Sequence, residues 1–268
     1  MNERLVIFTD LDGTLLDLET YSFHAAEEAL RRVLARDIPL IFCSSKTRAE
    51  QEEYQKQMGF RAPMIVENGA AIVIPAGSFP CMRPDRDEVI EIGAPATVIR
   101  AELLRVREER NLEFRGYAEL SLEELRDWTG LAIEDAARAK RREYSETLVG
   151  GLTADGVAML NEAMRASGLV AVRGSRFYTV TSSRSDKGTA VARLTDLFRQ
   201  RFGNVIAIGL GDGANDLPLL KAVDRAFLFQ PSDVDRVVPA ATGLEIVRGG
   251  GAATWNAVVN LLLDQYPD

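Results

Sequence analysis

The sequence is poor in the residues that define several common classes of protein. It has two cysteines, Cys43 and Cys81, and one histidine, His24, in 268 residues. Two cysteines cannot supply the disulfide framework of a small secreted domain, so we expect a reduced, cytoplasmic protein. A single histidine argues against Ser-His-Asp catalysis and against a histidine-rich metal site.

Long apolar runs and an excess of positive charge are also missing. No segment approaches the roughly 20 apolar residues of a membrane helix, and the apolar run at 5–8 is too short for a secretory signal. The formal net charge of −8 argues against nucleic acid or an anionic membrane as the main partner. We therefore expect a small-molecule partner and a monomer or homodimer.

Both ends of the chain alternate short apolar strands with helices. This alternation predicts a largely parallel sheet with helices on its faces. The strands are predicted at 5–9, 38–43, 64–66, 71–74, 205–210 and 226–229, and the helices at 21–36, 48–58, 188–202, 217–223 and 253–264.

The middle of the chain follows a different pattern, which begins with a stretch rich in Pro, Gly and charge at 75–87. Strands are predicted at 88–92, 147–150, 169–172 and 177–181, and helices at 96–110, 122–129, 133–142 and 154–167. We therefore predict an α/β fold with a Rossmann-like parallel-sheet core (residues 1–83 and 184–268) and an inserted α+β cap (residues 84–183).

Carboxylates follow two of the buried strands. Asp10 and Asp12 lie in 8-FTDLDGTLLD-17, and Asp212 and Asp216 lie in 209-GLGDGANDLPLL-220. Ligands of open α/β sheets bind at the carboxyl ends of strands, and Mg²⁺ prefers oxygen ligands. Either motif alone is also compatible with an ordinary turn, because Asp and Gly are common turn residues. Two acidic strand ends together favour a metal site.

Two further motifs carry hydroxyl and cationic groups. The stretch 43-CSSKTR-48 follows the second strand and offers Ser44, Ser45, Lys46, Thr47 and Arg48 to a phosphate. The stretch 185-SDKG-188 brings Lys187 to the acidic cluster. Each motif has a simpler interpretation as the capped start of a helix with solvated cations.

Taken together and in this order, DLDGT, the strand-end Ser44, Lys187 and GDGAND resemble the haloacid dehalogenase (HAD) superfamily of Mg²⁺-dependent phosphatases and phosphotransferases. The resemblance implies that Asp10 is the nucleophile and Asp12 the general acid and base. It also implies that Asp10, Asp12, Asp212 and Asp216 hold Mg²⁺. Ser44 and Lys187 would bind the transferring phosphoryl group, and Asn215 would orient the loop or touch phosphate.

Less general stretches resemble the mannosyl-3-phosphoglycerate phosphatase family, whose members release mannosylglycerate. They are 44-SSKTRAE-50, 65-IVENGAAI-72, 142-REYSETL-148, 174-GSRFYTV-180 and 255-WN-256. The glycines of 248-RGGGAATWN-256 depart from the tighter turn that we would expect there.

The substrate of that family carries a phosphate, a carboxylate and a neutral sugar. We predict that it is bound by Ser45, Lys46, Thr47, Arg48, Glu67, Asn68, Gly69, Arg142, Glu143, Ser145, Arg173, Gly174, Ser175, Arg176 and Asn215. Arg forks suit carboxylates, although the cap residues could equally form a solvated surface.

Other functions on the same fold stay open. They are phosphatases of glucosyl-3-phosphoglycerate, sucrose phosphate or hexose phosphates, a sugar phosphomutase, and a sugar-phosphate sensor without catalysis. The sensor is disfavoured because every catalytic position is filled.

Overall fold

The computed structural model describes residues 3–174, 176–230 and 243–266. The strands are β1 (Arg4–Thr9), β2 (Leu40–Cys43), β3 (Met64–Val66), β4 (Ala71–Ile74), β5 (Glu88–Glu91), β6 (Arg115–Gly116), β7 (Glu146–Val149), β8 (Leu169–Arg173), β9 (Tyr178–Ser182), β10 (Val205–Gly211), β11 (Arg225–Gln230) and β12 (Leu244–Arg248).

The helices of the described residues are α1 (Glu27–Ala35), α2 (Arg48–Gln57), α3 (Ala96–Arg110), α4 (Leu122–Thr129), α5 (Ile133–Ala139), α6 (Ala154–Met164), α7 (Lys187–Phe202), α8 (Leu217–Lys221) and α9 (Gly251–Gln265). Short 3-10 turns occupy His24–Ala26, Tyr117–Glu119, Arg165–Ser167 and Ala214–Asp216.

The larger sheet has eight strands in the order β12-β11-β10-β1-β2-β3-β4-β5. Neighbouring strands from β12 to β3 are parallel, whereas β4 and β5 add an antiparallel edge. Strand β1 lies between β10 and β2, and Thr9 at its end pairs with both Leu210 and Phe42. The carboxyl ends of these three strands therefore meet at one edge of the sheet, where a ligand is expected.

Helices cover both faces of this sheet, as its continuous apolar strands require. Helices α1 and α9 pack on one face, and α7 and α8 on the other. Trp255 of α9 is fully buried, and its indole Nε1 donates a hydrogen bond of 3.2 Å to Thr9 Oγ1. The final helix is thus anchored at the end of β1, one residue before Asp10.

The cap is built on a second sheet with the strand order β6-β7-β9-β8, which is antiparallel throughout. Helices α3 and α6 supply Leu103, Val106 and Leu160 to its own hydrophobic core. This small core has no buried residue in common with the clusters around the larger sheet.

The prediction of an α/β fold with a parallel-rich central sheet is confirmed. The domain boundaries stay a prediction, and the pairing of β5 with β4 favours a first boundary after residue 91 instead of 83. Strands β6 and β12 are not predicted by the sequence pattern. Two residues are too few for a pattern, and β12 is largely exposed because it lies at the edge of the sheet.

A search of the described residues for a membrane-crossing helix is negative, because none of their helices combines the length and the apolar character that a bilayer requires.

We expect Trp255→Ala to lower the free energy of unfolding by about 3–5 kcal/mol, because it empties a large buried site and leaves Thr9 without its indole partner. Urea denaturation measures this loss. Leu261→Ala is the matched control, because Leu261 lies on the same helix with 63% of its surface exposed. It should change stability by less than about 0.5 kcal/mol. Equal effects of the two substitutions would contradict the packing described here.

Candidate active site

Three carboxylates converge at the carboxyl edge of the sheet. Asp10 follows β1, Asp212 follows β10, and Asp216 ends the 3-10 turn that opens α8. One oxygen from each of the three lies within 4.8 Å of the others. Asp10 and Asp216 are buried. So many acids can share a buried site only if cations accompany them or protons neutralise them.

Lys187, the first residue of α7, supplies one cation. Its side chain is fully buried, and Nζ donates hydrogen bonds of 2.6 Å to Asp10 Oδ1 and to Asp216 Oδ1. Asp186 caps the helix by accepting from the Thr189 amide, which fixes where Lys187 leaves the backbone. The second oxygen of Asp216 accepts from the amides of Asp212 and Gly213, so Asp216 also shapes the loop.

The electrostatics of this cluster favour a charged lysine and oppose a full set of ionised acids. Burial lowers the pKa of Lys187, but Asp10 and Asp216 outweigh it and raise that pKa above its usual value. Burial and the neighbouring Asp216 raise the pKa of Asp10 well above its ordinary value, although Lys187 opposes them. The cluster therefore contains fewer positive charges than carboxylates.

The residues present fit a divalent cation. Three carboxylates and one ammonium leave a formal charge of −2, and carboxylate oxygens are ligands that Mg²⁺ prefers. Gly13 keeps the space beside Asp212 open, because a Cβ there would lie 2.5 Å from Asp212 Oδ2 and the backbone is left-handed. Thr14 Oγ1 donates a hydrogen bond of 3.3 Å to Asp212 Oδ1 and orients that carboxylate.

Asp12 lies beside this cluster and pairs with Lys46. Lys46 Nζ is 3.0 Å from Asp12 Oδ1 and 3.8 Å from Glu50 Oε1. The rings of Tyr21 and Tyr54 stand 4.9 and 5.8 Å from the same ammonium. Burial lowers the pKa of Lys46, but Asp12 and Glu50 outweigh it and raise that pKa. Lys46 is therefore a charged group at the side chain of Asp12.

The rest of the second motif divides between the site and the helix that follows. Ser44 is buried at the end of β2, and its Oγ accepts from the Lys46 amide at 3.3 Å. Thr47 is the N-cap of α2 in a capping box with Glu50. Arg48 is held by Glu52 and Asp87 at 2.6 and 3.1 Å. For Thr47 and Arg48 the structure agrees with the simpler interpretation, in which this stretch is the capped start of a helix.

Glu67, Asn68 and Gly69 follow β3 and face the cap. The carboxylate of Glu67 is buried and accepts hydrogen bonds from the Glu143 and Tyr144 amides and from Ser145 Oγ. The predicted contact of Glu67 with the substrate stays a prediction. In the structure both of its carboxylate oxygens accept hydrogen bonds from the cap. Asn68 Oδ1 accepts from Asn215 Nδ2 at 3.4 Å, which ties this loop to the acidic loop.

Arg142 lies where the cap meets the core. Its NH1 donates to the Ser45 carbonyl at 3.3 Å and to Ser145 Oγ at 2.9 Å. Its side chain is 9% exposed, and Nε is buried without a hydrogen-bond partner. The Arg142 guanidinium is therefore held next to the 44–48 loop, and its Nε can still donate a hydrogen bond.

The predicted cap hairpin lies on the surface. Arg173 NH1 donates to Tyr178 Oη at 3.2 Å, Gly174 N donates to the Phe177 carbonyl at 2.8 Å, and Arg176 donates to the carbonyls of Trp128 and Thr129. Ser175 lies outside the described residues. In this arrangement both arginines bond to other cap groups.

Several residues that contact the predicted site residues are absent from the sequence predictions, and three of them show why. Tyr21 and Tyr54 face Lys46, and Asp87 holds Arg48. Tyr54 lies on α2, but Lys46 precedes that helix, so helical spacing gave no signal for their contact. Tyr21 and Asp87 lie in irregular segments, where no spacing indicates a partner.

Comparison with known proteins identifies the family. Residues 7–83 match a family model described as haloacid dehalogenase-like hydrolase. A protein of Methanococcoides burtonii named glucosyl-3-phosphoglycerate/mannosyl-3-phosphoglycerate phosphatase is 42% identical over 96% of this chain and 97% of its own length. The chain belongs to the haloacid dehalogenase-like hydrolases.

Two further matches extend this result. The mannosyl-3-phosphoglycerate phosphatase of Pyrococcus horikoshii is 37% identical over 83% of this hydrolase and 89% of its own length. A solved HAD phosphatase from Bacteroides thetaiotaomicron superposes with a TM-score of 0.66 at 20% identity, covering 99% of this chain and 95% of that one. At that identity the likeness shows the fold alone.

The predictions of the HAD superfamily and of a phosphoric monoester hydrolase are confirmed by the family model together with the phosphatase names of these relatives. The individual site residues stay predictions.

We expect Lys187→Met to lower the free energy of unfolding by about 3–5 kcal/mol in buffer with a chelator, because it leaves Asp10 and Asp216 buried together without their cation. Urea denaturation measures this loss.

Lys221→Met is the matched control, since Lys221 is exposed at the end of α8. Its effect should stay within about 0.5 kcal/mol. An unchanged stability in Lys187→Met would mean that the buried pairings do not hold this edge of the sheet together.

Proposed function

We propose that this hydrolase is a Mg²⁺-dependent phosphatase of mannosyl-3-phosphoglycerate, which it converts to mannosylglycerate and inorganic phosphate. The observation that carries the proposal is the extent of the similarity to the Methanococcoides burtonii phosphatase, which covers 96% of the chain and therefore the cap as well as the core. That relative is named for both sugars. We therefore include glucosyl-3-phosphoglycerate, which differs only in the sugar, as a second substrate.

Asp10 is the proposed nucleophile. One of its carboxylate oxygens attacks phosphorus, the bond from phosphorus to the glycerate oxygen breaks, and an aspartyl-phosphate forms. Lys187 Nζ, 2.6 Å from Asp10, offsets the charge of the transferring group, and Ser44 donates a hydrogen bond to it. Asn215 is held toward the same edge through Asn68 and is proposed to touch phosphate.

Asp12 is the proposed general acid and base. It gives a proton to the departing glycerate oxygen and then removes one from the water that attacks phosphorus, which releases phosphate and restores Asp10. Lys46, 3.0 Å away, fixes the orientation of the Asp12 carboxylate. The two aspartates thus divide nucleophilic attack and proton transfer between them.

Asp10, Asp212 and the backbone carbonyl of Asp12 would hold Mg²⁺, and Asp216 would act through water because Lys187 and two amides already occupy its oxygens. When bound, the ion supplies positive charge that favours an ionised Asp10 and a bound phosphoryl group. The formal charge of −2 left by three carboxylates and one ammonium supports a divalent ion.

The glycerate end of the substrate is anionic, and the cations nearest to Ser44 and Asp12 are the candidates to receive it. Lys46 is held beside Asp12 by their ion pair, and Arg142 is held beside the 44–48 loop by its hydrogen bond to the Ser45 carbonyl. Arg142 offers a fork of donors that matches a carboxylate. Arg173, Gly174, Ser175 and Arg176 stay proposed substrate contacts on the cap.

The test of this function is phosphate release from a panel of substrates in the presence of Mg²⁺. The panel contains mannosyl-3-phosphoglycerate, glucosyl-3-phosphoglycerate, sucrose-6-phosphate, mannose-6-phosphate and 3-phosphoglycerate. We expect kcat/KM for the glycosylated phosphoglycerates to exceed the others by about 100-fold, or about 2.7 kcal/mol in the transition state. A flat profile would leave a general sugar phosphatase. Chelation should abolish turnover, and added Mg²⁺ should restore it.

We expect Asp10→Asn to abolish turnover while the urea unfolding midpoint stays near or above that of the parent, because the substitution removes a nucleophile from a site with excess negative charge. Asp196→Asn, an exposed acid on α7, is the control and should retain full activity. An active Asp10→Asn enzyme would exclude the covalent mechanism.

A further inference from the structure

Glu67 is a buried acid for which the proposed chemistry has no task. It lies at the end of β3 with 1% of its surface exposed. Oε1 accepts from the Glu143 amide at 2.8 Å, and Oε2 accepts from the Tyr144 amide at 3.2 Å and from Ser145 Oγ. Each of these donors belongs to the cap, whereas Glu67 belongs to the core. Such a set of bonds to one buried carboxylate fixes the relative position of two bodies.

The backbone around Glu67 is strained. Glu67, Asn68 and Gly69 have φ values of 50°, 60° and 89°, so three successive residues adopt the left-handed conformation. Only the last is a glycine, and side-chain-bearing residues adopt this conformation at a cost of roughly 1 kcal/mol or more each. Strain of this kind persists where surrounding contacts impose it. We call residues 67–69 the pivot loop.

The pivot loop is hydrogen-bonded directly to the 44–48 loop, which contains Ser44 and Lys46. The Glu67 amide donates to the Lys46 carbonyl at 3.1 Å, and the Asn68 amide donates to the Ser44 carbonyl at 3.0 Å. Because these are bonds between backbone groups, a change of the Glu67 side chain leaves Ser44 and Lys46 in place and alters only the contacts with the cap.

Both chain connections between core and cap pass next to the pivot loop. A Cβ on Gly69 would lie 2.2 Å from the Asp186 carbonyl oxygen, on the connection that leads back to the core. On the outgoing connection, the Ile92 and Gly93 amides both donate to the Ala70 carbonyl. The loop thus contacts both connections, next to the place where Glu67 holds the cap.

The cap segment that Glu67 holds begins with Arg142. Ser145 Oγ donates to Glu67 and accepts from Arg142 NH1 at 2.9 Å, while the same NH1 reaches the Ser45 carbonyl at 3.3 Å. Glu67 Oε2 is itself 4.0 Å from Arg142 NH1. The position of Glu67 therefore sets how far the Arg142 guanidinium extends over the 44–48 loop.

We propose that Glu67 is a positioning residue, which docks the cap on the core so that Arg142 receives the anionic glycerate end of the substrate above Ser44. It touches no reacting atom. This inference rests on the proposed function for the identity of the substrate, but the docking itself can be measured without any substrate.

The experiment compares Glu67→Gln with the parent on mannosyl-3-phosphoglycerate and on p-nitrophenyl phosphate, which has no glycerate carboxylate. Glutamine keeps the shape but loses the charge and part of the accepting capacity. We expect kcat/KM for the large substrate to fall by about 10-fold or more, mainly through KM, and the value for p-nitrophenyl phosphate to change by less than about 3-fold. Ser145→Ala, a milder change at the same contact, should give the same pattern with a smaller amplitude.

Glu146→Gln is the matched control. Glu146 is equally buried, accepts from Arg100 and from the Ala118 amide, and has these partners within the cap. It should lower stability in the same way and leave the ratio of the two kcat/KM values unchanged. An equal fall for both substrates in Glu67→Gln, or the same change of ratio in Glu146→Gln, would overturn the proposal.

Hydrogen exchange tests the docking role of Glu67 independently of the proposed function. The Glu143 and Tyr144 amides should exchange at least about 10-fold faster in Glu67→Gln than in the parent, with no substrate present. Unchanged exchange would overturn the docking role whatever the substrate is. If exchange rises while the parent enzyme shows no preference for glycosylated phosphoglycerates, the docking stands and the proposed function fails.

Discussion

The candidate active site at the carboxyl edge of the sheet depends on one buried ammonium group between two buried carboxylates. Lys187 bridges Asp10, which follows the central strand, and Asp216, which ends the turn after the neighbouring strand. Burying the carboxylates without a cation would be costly, and so would burying the ammonium without an acid. Because the three side chains come from β1, α7 and the β10–α8 loop, their pairing fixes three elements relative to one another.

The same arrangement explains why the cluster is only partly neutralised. A single lysine leaves negative charge over, and the remaining space at Asp212 is kept clear by Gly13. A site that was already neutral would have little affinity for a cation, while one without Lys187 would be difficult to bury. The cluster is therefore a compromise between stability of the fold and attraction for a metal ion.

The sequence specifies the core and the acidic edge more fully than it specifies the contacts of the cap. Strand ends and their acids are local features, so Asp10 and Asp212 could be located from apolar runs followed by Asp-Gly turns. The role of Glu67 could not be located in this way, because its partners lie about 76 to 78 positions further along the chain. Arg48 has the chemistry of a phosphate ligand, and its role stays a prediction. In the structure its guanidinium pairs with Glu52 and Asp87, and the partner at Asp87 could not be located from the sequence. Strand β5 was predicted and lies beside β4 in the larger sheet, but the sequence could not assign it to a domain, because an alternating strand after a Pro- and Gly-rich stretch fits either domain equally well.

The order of the strands also has a consequence for how the chain folds as it is synthesised. Strand β1 pairs on one side with β2, which follows soon after it, and on the other with β10, about 200 residues later. The whole cap is made between these two events. Until residue 205 has left the ribosome, one edge of this largely buried strand has no partner and is open to pairing with another chain. The long separation of β1 and β10 also makes the joining of the two halves a slow, non-local step, and the catalytic edge comes into being only when that step is complete.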